Sequence, residues 1–361
     1  MLIDQSNTQG AYDGVVAEYK AAADAVNAAG GVHGRPLELQ ICDTALNPNT
    51  AASCARRAIE AGAPAVMDLS FGATAFTPIL QEANIADVGA SMTSPAQFTS
   101  PISFPLWAGG AGNLVGLGAA AGRLSCQKAT MVTDAGAVAS AGETAAAAYG
   151  AARAAGVDTG DPISAPAGTP DWTSQIATAT KAGADCLLLV AMPADVVAQI
   201  KAAHTVAPKA KIITLGAQLS EASVKALGSL LDGVNVVNLA LPKSAATTDP
   251  GVAKWVKETE THSSNRDYGA ESANAWAAVK LFADVAARVP EINAKSILDE
   301  LNQLTDYDPG VFPKVSFASP ATNPIGPRLF NSGVVFAHYD GGKLVLDSPT
   351  FIDPYTGKTL D

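Results

Sequence analysis

Short apolar runs alternate with Ala-rich stretches of helical spacing along most of the chain. "PAVMDL", "IADVGA", "KATMVT", "DCLLLVA", "KIITLG" and "VNVVNLA" are too short for helices and too continuously apolar for strands with one wet face. Between them lie "YDGVVAEYKAAADAVNAAGG", which stops at a Gly pair able to turn left-handed, and "NPNTAASCARRAIEAG", "TAFTPILQEAN", "GETAAAAYGAARAAG", "DWTSQIATATKAG", "ADVVAQIKAAHTVA" and "SEASVKALGSLL". "RPLELQIC" reads as a further strand and "LVGLGAAAGRLS" as a further helix. This alternation predicts α/β architecture, with parallel sheets covered by helices on both faces.

The later part differs. "GVAKWVKETETHS", "GAESANAWAAVKLFADVAARV" and "AKSILDELNQL" read as three helices in succession. A Pro/Gly-rich stretch from Asp308 to Phe330 then leads to "GVVFAHYDGGKLVL", whose Asp340-Gly341-Gly342 predicts a hairpin turn. Two α/β series, late helices and a closing hairpin predict two lobes that share the chain discontinuously.

A chain of 361 residues is long enough for two cores. Its 23 basic and 34 acidic residues, net charge -11, argue against nucleic acid or anionic membrane as a partner, because both attract clustered Lys and Arg. No apolar run approaches the roughly 18 residues needed to span a bilayer. The opening "MLIDQSNTQG" leaves little ahead of the first loop, so an export segment is expected to have preceded it.

Four cysteines allow three pairings, and buried free thiols remain the other reading. Cys42 ends one predicted strand and Cys54 lies on the following helix; Cys126 and Cys186 each stand just before strands that could be neighbours. No C-x-x-C occurs. An enzyme is not expected. G-x-S-x-G, a P-loop and G-x-G-x-x-G at a strand-to-helix turn are all missing, "GGAGNLVGLG" reads as a chance glycine run approaching a helix, and His33, His204, His262 and His338 are scattered. A repressor would need an N-terminal helix-turn-helix, which is absent.

The stretch "AVNAAGGVHGRPLELQICDTALNPNTAASCARRAIEAG" resembles a signature of type I periplasmic binding proteins, above all the branched-chain amino acid binding family of ABC transporters. Asn27, Gly30, Gly31, Gly34, Arg35, Asp43 and Pro48 fit it, and the resemblance extends over essentially the whole chain. It implies two Rossmann-like lobes joined by three crossovers: residues 1–120 plus 248–326, and 121–247 plus 327–361. The crossovers are expected near Leu117 to Ser125, Leu239 to Asp249 and Ile325 to Ser332. A small ligand is expected between the lobes, held by hinge closure and population shift. The implied partners are that ligand and an ABC permease in the membrane, with the protein extracytoplasmic and monomeric. No metal or cofactor is implied. A receptor ectodomain that senses the ligand is the rival reading.

On this resemblance the first-lobe shelf comprises "SFGAT", with Ser70, Phe71 and Gly72, and "VGASMTSP", with Ser91, Met92 and Thr93. Both follow apolar strands, where a helix N-terminus suits a carboxylate. Simple surface turns are the plainer alternative. Tyr12 either lines the cleft or packs on a helix, and Phe71 is either an apolar lid or a plug over the strand ends.

The second lobe departs from the family. Its tyrosine-glycine pair after Asp134 gives way to "DAGAVASAG", placing Val138 and Ala139 there. Its acidic residue in the loop after "IITLG" is here Gln218, a neutral amide that cannot balance a buried ammonium. Glu271 is either the substitute anionic partner or a solvated carboxylate at a helix start. Ala191 and Met192 are expected to complete a smooth apolar wall. These changes point away from a free α-amino acid and toward an aliphatic or aromatic carboxylate or a larger apolar ligand.

Overall fold

The structure, a computed structural model, describes residues 1–6, 12–135, 141–321 and 325–360. The chain forms two compact units, Met1–Gly110 with Ala240–Ser332, and Ala111–Leu239 with Gly333–Leu360. It passes between them three times, after Gly110, Leu239 and Ser332. These points differ from the limits expected at residues 120, 247 and 326, for local reasons. The first pass falls in the opening turn of a helix, Gly109–Arg123, and not at its end. The short helix Lys243–Thr247 packs on the Pro250–His262 helix of the first unit. Residues 328 to 331 are tied to that unit by Arg328, which donates to the Ser103 carbonyl, and Asn331, which donates to that of Leu106.

In the first unit Leu2–Ile3 runs parallel to Cys42–Asp43 on one side and Asp68–Leu69 on the other. Ala86–Val88 lies between Ala65–Val66 and Ser103–Phe104, again parallel. The expected strand "PAVMDL" thus breaks at Met67, its two halves pairing on opposite sides and joining two three-stranded sheets. "RPLELQIC" is corrected more sharply. Its ladder with Leu2–Ile3 reaches only Cys42 and Asp43, and residues 36–41 run unpaired.

The Pro48–Glu60 helix starts where the Asn47 side chain accepts the N–H groups of Asn49 and Thr50, with Pro48 in the first turn. The Cys42–Cys54 disulfide staples that helix to its strand. Asp13–Ala28 packs along Ala270–Ala286, and both helices are rich in buried alanines. It also meets Pro250–His262, where the buried Glu18 carboxyl accepts Trp255 Nε1 (3.2 Å) and Thr259 Oγ1 (2.9 Å).

The second unit holds one eight-stranded sheet. Lys128–Asp134, Cys186–Val190, Lys211–Leu215 and Asn235–Asn238 are parallel in that order, and all of Leu187, Leu188, Leu189 is fully buried. Two short strands that the pattern does not announce, Asp158–Thr159 and Ile163–Ala165, flank Lys128–Asp134 on its other side. The hairpin Val335–Asp340/Lys343–Leu346 adds the antiparallel edge, turning on Gly341 and Gly342, both at positive φ. Cys126–Cys186 links the amino ends of two neighbouring strands.

The glycine run "GGAGNLVGLG" is a further correction, because it lies inside the Gly109–Arg123 helix. A Cβ on Gly118 would meet the Ala148 carbonyl at 1.9 Å, and one on Gly122 would meet Ala155 Cβ at 2.4 Å. The glycines let this helix press against Ala141–Ala154 at backbone distance.

Candidate functional site

Both units order their parallel strands alike, with the second strand beside the first, then the third, fourth and fifth. In such sheets ligands bind outside the carboxyl ends of the first and third strands, where the winding reverses. In the first unit that point holds Asp4 and Ser70; in the second it holds Asp134 and the Ala191–Met192 turn.

Asp4 is fully buried at the end of Leu2–Ile3. One of its oxygens accepts the hydroxyls of Thr44 and Ser70 (3.1 Å for Ser70) and the N–H of Leu46 (2.9 Å); the other accepts the Phe71 N–H at 2.7 Å. Ser70 Oγ in turn accepts the Gly72 N–H at 3.0 Å. A Cβ on Gly72 would meet Ala51 Cβ at 2.6 Å, so a glycine is required where the Ala73–Glu82 helix begins. The expectation that the Ser70 hydroxyl faces a ligand meets a different arrangement, since that hydroxyl is spent within the protein. Phe71 instead presents its ring, 61% exposed; only it and Val345 stand out among the large hydrophobic side chains of the described residues.

The second shelf loop is equally tied. Ser91 is buried and gives both its N–H (2.9 Å) and its hydroxyl (2.5 Å) to Asp68. Thr93 N–H donates to Gln97 Oε1 and Thr93 Oγ1 to the Ser70 carbonyl, each at 2.9 Å, which joins the two loops. Met92, at φ 56°, is 1% exposed and packs on Ala90 and Leu329, so its side chain belongs to the core and not to the strand-end surface. Tyr12 is half-buried, and burial, then the carboxylates of Glu271 and Asp4, push its phenol up to about 12. Glu271, half-buried in the first turn of Ala270–Ala286, is held above the usual carboxylate range by burial and by Asp267 beside it. Tyr12, Asp4 and Glu271 therefore share one neighbourhood with Phe71.

In the second unit Asp134 accepts the Met192 N–H at 2.6 Å, the counterpart of Asp4 and Phe71. Ala191 is buried in the core cluster, so only Met192 of the expected wall reaches the surface at this turn. Gln218, half-buried, accepts the Thr214 hydroxyl at 3.2 Å. Asn238 closes the next strand end. Its amide lies so close to Gly216 that a Cβ there would meet Oδ1 at 1.6 Å. Val138 and Ala139 lie outside the described residues.

The family model for periplasmic binding proteins matches residues 2–330. The chain belongs to the periplasmic binding protein family. No curated protein matches it in sequence. Solved structures share its fold at low identity. A leucine binding protein from Thermotoga maritima is 15% identical with TM-score 0.75, covering 96% of each chain. A fatty acid ABC transporter substrate-binding protein from Thermomonospora curvata is 15% identical with TM-score 0.76, over 100% of this chain and 94% of that one. A solute binding protein from R. palustris in complex with benzoate is 17% identical with TM-score 0.71, over 96% and 94%.

A periplasmic binding protein works outside the cytoplasm and binds small ligands. Among the described residues no helix is long and apolar enough to cross a membrane, and no group of three His, Cys, Asp or Glu is placed to hold a metal ion. A cavity of about 330 Å³ in the first unit, lined by Leu37, Gln40, Arg57, Ala63 and Phe282 among others, sits at the amino end of the strands, away from both shelves. Sequence reasoning missed Asp4, Asp68, Asp87, Gln97 and Asn238. The readable signal was a carboxylate inside an apolar run, as in "VMDL" and "IADV".

Proposed function

We propose that this chain is the substrate-binding component of an ABC importer, that it captures a small carboxylate-type ligand by hinge closure, and that it delivers that ligand as a monomer to a membrane permease. The ligand is amino acid-like or an aromatic or aliphatic acid. The observation that carries this reading is Phe71: a large apolar side chain left in water at the strand-end face, beside a helix N-terminus that favours an anion. A ligand with an apolar body and an acidic head uses both features. Tyr12, Thr93 and, from the second unit, Met192 and Gln218 are its proposed further contacts. Asn238 joins them as a second neutral amide.

The electrostatics favour an acid without an amino group. Gln218 carries no charge, and burial disfavours the charged form of Glu271, the remaining candidate to meet an ammonium. The leucine-, fatty acid- and benzoate-named relatives bracket the classes to compare. A thermal-shift screen of the purified protein against leucine, benzoate and palmitate tests the proposal. A ligand at 100 times its dissociation constant adds about 2.7 kcal/mol to stability. Stabilisation by benzoate or palmitate and not by leucine is expected. Stabilisation by leucine alone would overturn the ligand class, and no shift with any acid would remove its support.

A further inference from the structure

Beneath the Ser91–Thr93 loop lie two carboxyl groups that water does not reach. Asp68 and Asp87, on strands of the first unit's two separate sheets, are both fully buried, and their side chains stand within hydrogen-bonding reach of one another. Asp68 accepts four donors: Ser91 N–H, Ser91 Oγ, Ser70 N–H at 3.2 Å and Gln97 Nε2 at 3.1 Å. Asp87 accepts Gln97 Nε2 at 3.1 Å through one oxygen, while its other oxygen is buried without a donor. Two buried carboxylates side by side repel, and a buried oxygen with no donor costs free energy. One proton held between the pair removes the repulsion and leaves the donorless oxygen uncharged. Asp68, with four donors, keeps the negative charge and Asp87 carries the proton.

Gln97 completes the arrangement. It is fully buried; its amide nitrogen bridges the two carboxyl groups and its oxygen accepts the Thr93 N–H. Between the two tethered residues sits Met92 in the left-handed region, a conformation a non-glycine residue keeps only where its surroundings over-determine it. The loop is held from its other end as well, where Asn274 Nδ2 donates to the Gly89 carbonyl and Trp107 Nε1 to that of Ala90.

We propose that Asp68, Asp87 and Gln97 form a proton-sharing clamp, a set of positioning residues that holds Ser91, Met92 and Thr93 in the geometry that receives the ligand. The inference rests on the reading of this loop as part of the ligand shelf. The proton is the working part of the clamp. Its loss at alkaline pH leaves two buried charges side by side and drives the strand ends apart, loosening the loop. The titratable groups facing the pair are Tyr19, whose hydroxyl donates to the Asp68 carbonyl at 3.4 Å, and the amino group of Met1. Burial pushes the Tyr19 phenol well up and the Met1 amine down to about 6, so at mildly alkaline pH neither brings a charge to the pair.

Two measurements on the purified full chain test the clamp without any ligand. The first is the infrared difference spectrum between pH 7 and alkaline pH. Glu18, raised to about 7, and Glu271 contribute to this difference in every variant, so the pair is read as the protonated-carboxyl C=O component that the wild type loses and Asp87→Asn, whose asparagine stands in for the protonated acid, does not. The second is amide hydrogen exchange at Ser91 and Thr93. Asp87→Asn should keep wild-type protection at neutral pH and retain it at alkaline pH, where the wild type loses it. Gln97→Met, which keeps the bulk and removes the bridge, should speed exchange at Thr93 about tenfold while Ser91 changes less. The same loss of carboxyl band in wild type and Asp87→Asn, or identical pH profiles of exchange in the two, would overturn the clamp. A wild type that binds none of leucine, benzoate or palmitate would count against the ligand proposal and leave these two readings as they are.

Discussion

The strand ends of the first unit and those of the second share a topology and differ in chemistry. In the first, Asp4, Asp68 and Asp87 are buried under the loops, and Ser70, Ser91, Thr93 and Gln97 are bound to them or to one another. In the second, Asp134 takes the Met192 N–H, while the third strand that ends beside it is built of Leu187, Leu188 and Leu189. The same device, a carboxylate at the end of the first strand fixing the N–H that follows the third, recurs once in each. What differs among the described residues is the end of the third strand, which holds Asp68 and Ser70 in the first unit and leucines and Val190 in the second. A dense network of hydrogen bonds preorganises the first shelf and leaves the exposed Phe71 ring at the strand-end face. The second face presents separate, half-buried groups, Met192 and Gln218, that adjust more easily to what they meet.

Removing the two equivalent carboxylates tests the shared device. Asp4→Ala strands the hydroxyls of Thr44 and Ser70 and the N–H groups of Leu46 and Phe71, and should cost roughly 3–5 kcal/mol in denaturant unfolding. Asp134→Ala strands at least the Met192 N–H and should cost about 1–3 kcal/mol or more. No loss from either variant would break the shared device. The disulfides run the other way. Cys126–Cys186 closes 60 residues and Cys42–Cys54 closes 12, so on chain entropy their loss should cost about 4 and about 3 kcal/mol respectively, read from paired Cys→Ser variants.

pH sharpens the comparison further. Glu18 in the first unit is raised from 4.5 to about 7, mainly by burial, with the hydrogen bonds from Thr259 and Trp255 opposing it. A raised carboxyl binds its proton more tightly folded than unfolded. Its stabilising contribution is therefore full below about 4.5 and is lost as pH rises toward 7, on the order of 2–3 kcal/mol. Glu18→Gln should remove that slope, measured as unfolding free energy from pH 4 to 8. The smallest effect is expected at Phe71. Phe71→Ala should change the stability of the unliganded protein by about 0.5 kcal/mol or less, since the ring is already in water.

Much of the fold was legible because continuous apolar strands and Ala-rich helices have distinct periods. Cys126 and Cys186 stood visibly before strands that prove adjacent. The failures are instructive in physical terms. "RPLELQIC" has strand composition, yet pairing depends on a partner elsewhere in the chain. The run "GGAGNLVGLG" reads as chance, whereas helix-to-helix contact at Ala148 and Ala155 makes Gly118 and Gly122 necessary. At the site, residue type suggested that Ser70 and the Ser91–Thr93 loop are open to a ligand, yet both serine hydroxyls are bound within the protein. Their acceptors, Asp4 and Asp68, lie 66 and 23 residues away, a separation no local pattern reports.

The most direct test of the account is a ¹H–¹⁵N chemical-shift titration of the protein with benzoate, leucine and palmitate. The account predicts saturable shifts for at least one acid lacking an amino group, centred on Phe71, Thr93 and Tyr12 in the first unit and on Met192 and Gln218 in the second. Shifts centred on the amino-end cavity around Arg57 and Phe282, or no saturable shift with any of the three, would contradict it.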